Sequence, residues 1–187
     1  MRRAPVWAIL ALLVLAAVSC GCTDQAPSSP APEPLEGTVT IVHGSASVTY
    51  DYDDITAMPA WEGWAYAVST VGIRYGPYQV KGVPLADLLT LSGTFGPEDQ
   101  AWISADDGYM WVFDYDQVTG EGFITFDEDL KEIESPPLTV ILMYEQDGRP
   151  LTYDEGGPFR VVIASDEEGV ITEGSSWVKW VSEIEVK

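Results

Sequence analysis

Side chains able to do covalent or metal chemistry are scarce in this chain. Among its 187 residues there are two cysteines and one histidine. The cysteines are Cys20 and Cys22, and none occurs from 23 to 187. The bulk of the chain therefore has no disulfide, no thiol nucleophile and no thiolate for a metal. His43 stands alone in the strand-like "TVTIVHGSASVTY", where it cannot by itself build a zinc site or a bis-histidine haem site. A serine hydrolase would have His43 as its only base, and neither a nucleophile-elbow spelling nor a phosphate-binding glycine loop is present.

Oxygen ligands are more plentiful. Asp51/Asp53/Asp54, Asp114/Asp116 and Asp127/Glu128/Asp129 are clusters of the hard donors that calcium takes. None follows the EF-hand calcium loop, and the spacings serve equally well as turns and helix caps. Aromatic residues gather at Trp61, Trp64, Tyr66, Tyr75 and Tyr78, and again at Tyr109, Trp111 and Tyr115. On strands such residues alternate toward the core, whereas an exposed pair beside carboxylates would stack on a sugar or a flat ring.

With 9 Lys and Arg against 30 Asp and Glu, the formal net charge is −21. Nucleic acid and anionic lipid surfaces would repel such a chain, and solubility or a saline medium accounts for the charge. Arg2 and Arg3 precede an apolar run over residues 6–18 that ends in Ala16-Ala17-Val18-Ser19 before Cys20. This reads as a secretory signal, residues 1–19, too short for a membrane span. The small residues before the cysteine resemble the lipobox of prokaryotic lipoproteins, which would make Cys20 the lipidated first residue of the mature protein, with Cys22 as the alternative. Ordinary cleavage would instead release a soluble protein. Residues 20–37, rich in Pro and Ser, read as the lipidated end and its extended tether. Either outcome puts the function outside the cytoplasm.

Residues 38–187 are long enough to bury a core, and their pattern is α+β: β-rich, with mixed or antiparallel sheets and short helices. Residues 38–43 and 46–50 read as strands around Gly44. Asp51, with Asp54 three residues on, is an N-cap for a short helix that Pro59 stops. "WAYAVSTVGI" and "YQVKGV" follow as strands separated at residues 75–77. Pro84 opens a helix in which Leu85, Leu88, Leu89 and Leu91 make one apolar face, closed by Gly93. "AWISADDGYMWVFDYD" spells a hairpin about Asp106-Asp107-Gly108. "FITFDEDLKEI" reads as a short strand and a short helix. "LTVILMYEQ" then runs into an Asp147-Gly148 turn, and "FRVVIA" and "WVKWVSEIEV" are the last strands.

The order of these pieces resembles the molybdopterin-binding domain of the sulfite oxidase family over residues 48–187. The match rests on Asp147-Gly148-Arg149-Pro150-Leu151, then Gly156-Gly157-Pro158-Phe159-Arg160, then Lys179-Trp180-Val181. Upstream, "YDYDDITAMP", "VKGVPLADLL" and "SADDGY" correspond to the family's acidic turn and short helix, its Gly-Val-Pro-Leu helix and its Asp-Gly-Tyr hairpin. The resemblance implies a molybdopterin cofactor whose phosphate is gripped by basic side chains and backbone donors. Carried onto this sequence, the grip falls on Arg160 and Lys179, with Ser175, Ser176 and Arg74; the structural alternative is that Arg160 and Lys179 pair with neighbouring carboxylates.

Enzymes of that family hold molybdenum through a cysteine placed between the Met-Pro-like segment and the Gly-Val-Pro-Leu helix. The equivalent residues 60–79, "AWEGWAYAVSTVGIRYGPYQ", contain no cysteine. Ser69 falls near that place, but a serine hydroxyl is a poor substitute for a thiolate. Three functions remain open. One is a non-catalytic module that binds an anionic or aromatic small molecule or a protein partner. Another is a molybdenum–pterin oxidoreductase with a non-cysteine ligand, and the third is a carbohydrate or cell-envelope binding protein.

Overall fold

The computed structural model describes residues 35–187. The expected signal segment, Cys20, Cys22 and nearly all of the expected tether lie outside the described residues. β1 (Thr38–His43) and β2 (Ala46–Asp51) form a hairpin through Gly44, whose φ is +61°. Asp51 then caps α1 (Tyr52–Thr56) with a capping box: its carboxylate accepts the Asp54 N–H at 2.8 Å while the Asp54 carboxylate accepts the Asp51 N–H at 3.2 Å.

β3 (Trp61–Val68) and β4 (Arg74–Pro84) pair as a long hairpin. The connection is residues 69–73, earlier than the expected break at 75–77. Gly76-Pro77 instead lies inside β4, beside a register shift at Ala65/Ala67, so the strand absorbs the glycine–proline pair as a bulge. α2 (Leu85–Thr90) follows, with Leu85, Leu88 and Leu89 fully buried. Leu91, expected on the same face, caps the helix and is 58 % exposed.

β5 (Gln100–Ala105) and β6 (Met110–Asp114) make the expected hairpin, with Gly108 at φ +86°. Asp114 and Gln117 form a second capping box that starts α3 (Tyr115–Val118), a helix the sequence reading did not anticipate. The short helix expected after "FITF" is absent: β7 (Thr125–Phe126) pairs with β8 (Glu132–Ile133). The Asp127 carboxylate accepts the N–H groups of Asp129 and Lys131, and Leu130 has φ +59°, so the acidic run closes a turn in place of a helix.

The last third comprises β9 (Leu138–Gln146), β10 (Arg149–Pro150), β11 (Arg160–Ser165), β12 (Thr172–Glu173) and β13 (Val181–Val186). A single 3₁₀ turn, Gly174–Ser176, precedes β13. The final strand begins later than expected because Trp180 adopts a left-handed φ of +51°.

One sheet has the order β2-β1-β13-β5-β6, with β1 and β13 parallel and its other pairs antiparallel. The other has the order β10-β9-β11-β3-β12, and β4 pairs with both β3 and β9, so β3, β4, β9 and β11 close on one another. This is the expected α+β, β-rich architecture with mixed sheets and short helices. Side chains from both sheets, including Val39, Ile103, Phe113 and Ile184 from the first and Val140, Leu142, Val161 and Ile163 from the second, share one hydrophobic core.

Gly82 lies where β4 pairs with β9, opposite Met143. A Cβ there would lie 2.4 Å from the Leu142 carbonyl oxygen and 2.7 Å from the Met143 Cα, both backbone atoms that cannot swing away. We predict that Gly82→Ala destabilises the domain by about 3 kcal/mol or more, read as a lowered urea midpoint. A change below about 1 kcal/mol would show that β4 and β9 can separate freely.

Candidate functional site

The polar end of β9 organises the site. Asp147 (φ +52°) and Gly148 (φ +74°) make the turn into β10. Asp147 is held to β4 by its N–H on the Gln79 carbonyl, 2.8 Å, and by its carboxylate accepting the Gln79 N–H, 3.0 Å. The chain then folds through residues 151–159 before entering β11.

Glu155 staples that loop. Its two oxygens accept from Arg149 at 2.6 and 2.8 Å, and one also accepts the Thr152 N–H and hydroxyl at 2.8 and 2.7 Å. The Arg149 guanidinium, supported by Thr152 and opposed by partial burial, holds this carboxyl down to about 2. So pinned, the loop presents three successive carbonyls. Tyr153 accepts Trp180 Nε1 at 2.8 Å, Asp154 accepts Lys179 Nζ, and Glu155 accepts Arg160 Nη1 at 3.2 Å.

The close fit depends on Gly156, at φ +97°. A Cβ on it would sit 2.5 Å from Lys179 Cγ, so glycine both permits the turn and leaves room for the lysine stem.

Arg160 and Lys179 meet in a cleft of about 430 Å³ that Ser175, Gln146 and Trp177 also line. Arg160 is 8 % exposed, with its guanidinium carbon 4.8 Å from the Trp177 ring centre and its Nε without a partner. Burial pulls its pKa down to about 10. Lys179 is lowered too, first by burial and then by Arg160. Among the described residues the ion pairs are Lys81–Glu62, Lys131–Asp129, Arg149–Glu155 and Lys187–Glu185. Neither Arg160 nor Lys179 takes part, which corrects the expectation of structural ion pairing. Asp154 and Glu155 also line the cleft, but neither makes an ion pair with these two cations, whose direct partners are backbone carbonyls and indole rings.

Gln146 adds an acceptor. Its Nε2 faces Asp147 Oδ2 and Glu155 Oε1, each at 3.4 Å, and since both are acceptors the amide orientation is dictated. Its Oε1 is buried and unpartnered.

Of the residues carried over by resemblance, Arg160, Lys179 and Ser175 converge on this cleft. Ser176 does not: it is 5 % exposed and its hydroxyl donates to the Glu173 carbonyl at 2.8 Å, because the 3₁₀ turn rotates it inward. Arg74 is also outside the cleft, exposed on β4 opposite Val68. Ser69, Tyr75 and Tyr78 line the cleft. Trp61 and Trp111 pack on the core and Tyr66 is buried, whereas Tyr75 and Tyr109 are exposed. Gln146, Glu155 and Trp177 were missed. A polar residue ending the apolar run "LTVILMYEQ" was a signal for Gln146; nothing local distinguishes Glu155 among its acidic neighbours.

The family described as oxidoreductase molybdopterin binding domain matches residues 39–187. The chain belongs to this family. Among solved structures, the sulfane dehydrogenase SoxCD from Paracoccus pantotrophus is similar, with a TM-score of 0.58 at 16 % identity over 80 % of this chain. That likeness is one of fold, and the alignment spans 38 % of the SoxCD chain. No curated protein matches in sequence.

Whether a molybdopterin would suit the cleft divides in two. The unpartnered Arg160 Nε, the Lys179 ammonium and the Gln146 Oε1 suit a phosphate and a ring N–H. The metal end does not fit: residues 60–79 contribute the hydroxyls of Ser69 and Thr70 and the phenols of Tyr75 and Tyr78 to the lining, and no thiolate. We derive no chemical step through molybdenum.

Proposed function

We propose that this chain is an extracytoplasmic lipoprotein whose molybdopterin-type domain is a non-catalytic module that binds a small anionic ligand in the Arg160/Lys179 cleft. The observation that carries this reading is the pair of cations, neither of them in an ion pair among the described residues, meeting in one cleft that Asp154 and Glu155 also line, with no soft ligand for a metal at its wall.

Protein purified from its own host is expected to contain neither stoichiometric molybdenum by elemental analysis nor fluorescent oxidised pterin after acid release. Stoichiometric amounts of both would replace this reading with that of an oxidoreductase using an oxygen ligand.

The anchor is carried by Ala17-Val18-Ser19-Cys20 after the apolar run. Labelled fatty acid is expected to enter the wild-type chain and to be lost in Cys20→Ser, which would leave the membrane fraction. Label retained in Cys20→Ser and lost in Cys22→Ser would move the anchor to Cys22.

A further inference from the structure

We propose that the ligand of this cleft is an amphiphilic anion, with its charged head on Arg160 and Lys179 and an alkyl chain running out over Tyr75 onto the tip of the β3–β4 hairpin. This rests on the anion-binding reading above and names the class of ligand.

The tip of the hairpin comprises residues 69–73. Ser69 N–H donates to the Ile73 carbonyl at 2.8 Å, the Ile73 N–H donates to the Ser69 hydroxyl at 3.0 Å, and the Gly72 N–H donates to the Ser69 carbonyl at 2.9 Å. The turn is thus closed by its own polar groups, with Gly72 at φ +82°. Yet this tied-down turn displays Val71 at 78 % exposure and Ile73 at 53 %. Apolar side chains held out by an ordered turn mark a contact surface more than scattered ones do.

Position then says what the contact is with. Ser69 and Thr70 of the same turn line the cleft, as does Tyr75, which is itself 41 % exposed. The turn that displays Val71 and Ile73 therefore borders, through Ser69 and Thr70, a cleft that carries two cations together with Asp154 and Glu155.

Charge agrees with this placement. No Asp or Glu occurs between Glu62 and Asp87, although the chain carries 30 acids. An anion approaching over the tip of this hairpin meets no carboxylate from residues 63–86, whereas elsewhere the chain's net charge would repel it. A purely polar anion such as inorganic phosphate would use the cations and leave the tip idle; a neutral hydrocarbon would use the tip and leave the cations idle. An alkyl chain with an anionic head uses both, each buried methylene tightening binding roughly fourfold.

The test uses the full chain carrying Cys20→Ser, purified without detergent, and calorimetric titration with ethyl phosphate, decyl phosphate below its aggregation concentration, and decanol. Decyl phosphate is expected to bind at least tenfold tighter than ethyl phosphate and tighter than decanol. Val71→Ser with Ile73→Ser should remove that gain while leaving ethyl phosphate binding unchanged. Equal affinity for the two phosphates would overturn the amphiphile and leave the anion reading standing. Decanol binding as tightly as decyl phosphate would overturn it as well, because the head would then contribute nothing. Failure of both phosphates to bind would sink the anion reading, and this proposal with it.

Discussion

Arg160→Met is expected to weaken anion binding roughly 10- to 100-fold while leaving the ligand-free domain as stable as the wild type, or more so. The two halves of this result follow from one fact: the guanidinium is buried with no carboxylate on it. Burial lowers its pKa from the ordinary arginine value to about 10, a penalty of about 3 kcal/mol for carrying the charge into the fold. Against this stand one hydrogen bond to the Glu155 carbonyl and the stacking on Trp177, together about 2 kcal/mol. Methionine fills much the same volume against the indole without the charge.

The sign with pH follows. The folded pKa lies below the unfolded one, so the penalty is fully present below about pH 10 and fades as pH rises above it. The advantage of the variant should shrink over that window. Losing the charge-assisted contacts should weaken phosphate binding roughly 10- to 100-fold. Urea unfolding and phosphate titration of the two proteins at pH 7 measure both halves. A loss of 3–5 kcal/mol in Arg160→Met with no change in binding would identify Arg160 as a paired structural residue instead.

Glu155→Gln is expected to have the opposite profile, losing stability and affinity together. The Glu155 carboxyl is held at about 2 against an ordinary 4.5, and with 21 % exposure of the side chain that difference is worth about 3 kcal/mol at neutral pH. Here the folded pKa is depressed, so the contribution is complete above about pH 4.5 and is lost as pH falls toward 2. Wild type and Glu155→Gln should differ most at pH 7 and converge near pH 2. The other carboxylates titrate in both proteins and cancel in the comparison. Because Glu155 pins the loop whose carbonyls hold Lys179 and Arg160, weaker anion binding should accompany the loss. A gap that persists unchanged to pH 2 would show that the staple is steric and not ionic.

Much of the fold was legible because its signals are local. The capping box at Asp51 and Asp54, the left-handed Asp147-Gly148 turn and the hairpin about Gly108 each depend on residues within four positions of one another. Where local signals competed, the reading failed. Asp114 and Gln117 spell the same box as Asp51 and Asp54, but they sit at the end of a strand-like run that masked α3. Asp127 has the composition of a helix start, yet its carboxylate closes a turn.

The cleft was legible only as far as the order of family motifs reached, which was to Arg160, Lys179 and Ser175. Ser176 and Arg74 were misplaced because sequence order does not reveal how a 3₁₀ turn is rotated or how a bulged strand is rolled. Glu155 acts through Arg149 and Thr152 to shape a loop that in turn holds residues from β11 and from the approach to β13. That role exists only once the chain has closed on itself.

The central claim, a cleft that binds an anion without molybdenum, is tested most directly by native mass spectrometry of the protein from its own host, beside Arg160→Met expressed in the same way. A bound mass of a phosphorus- or carboxylate-bearing ligand is expected on the wild type, free of the molybdenum isotope pattern and missing from the variant. A molybdenum-bearing mass on the wild type, or one anionic ligand bound equally by both proteins, would contradict it.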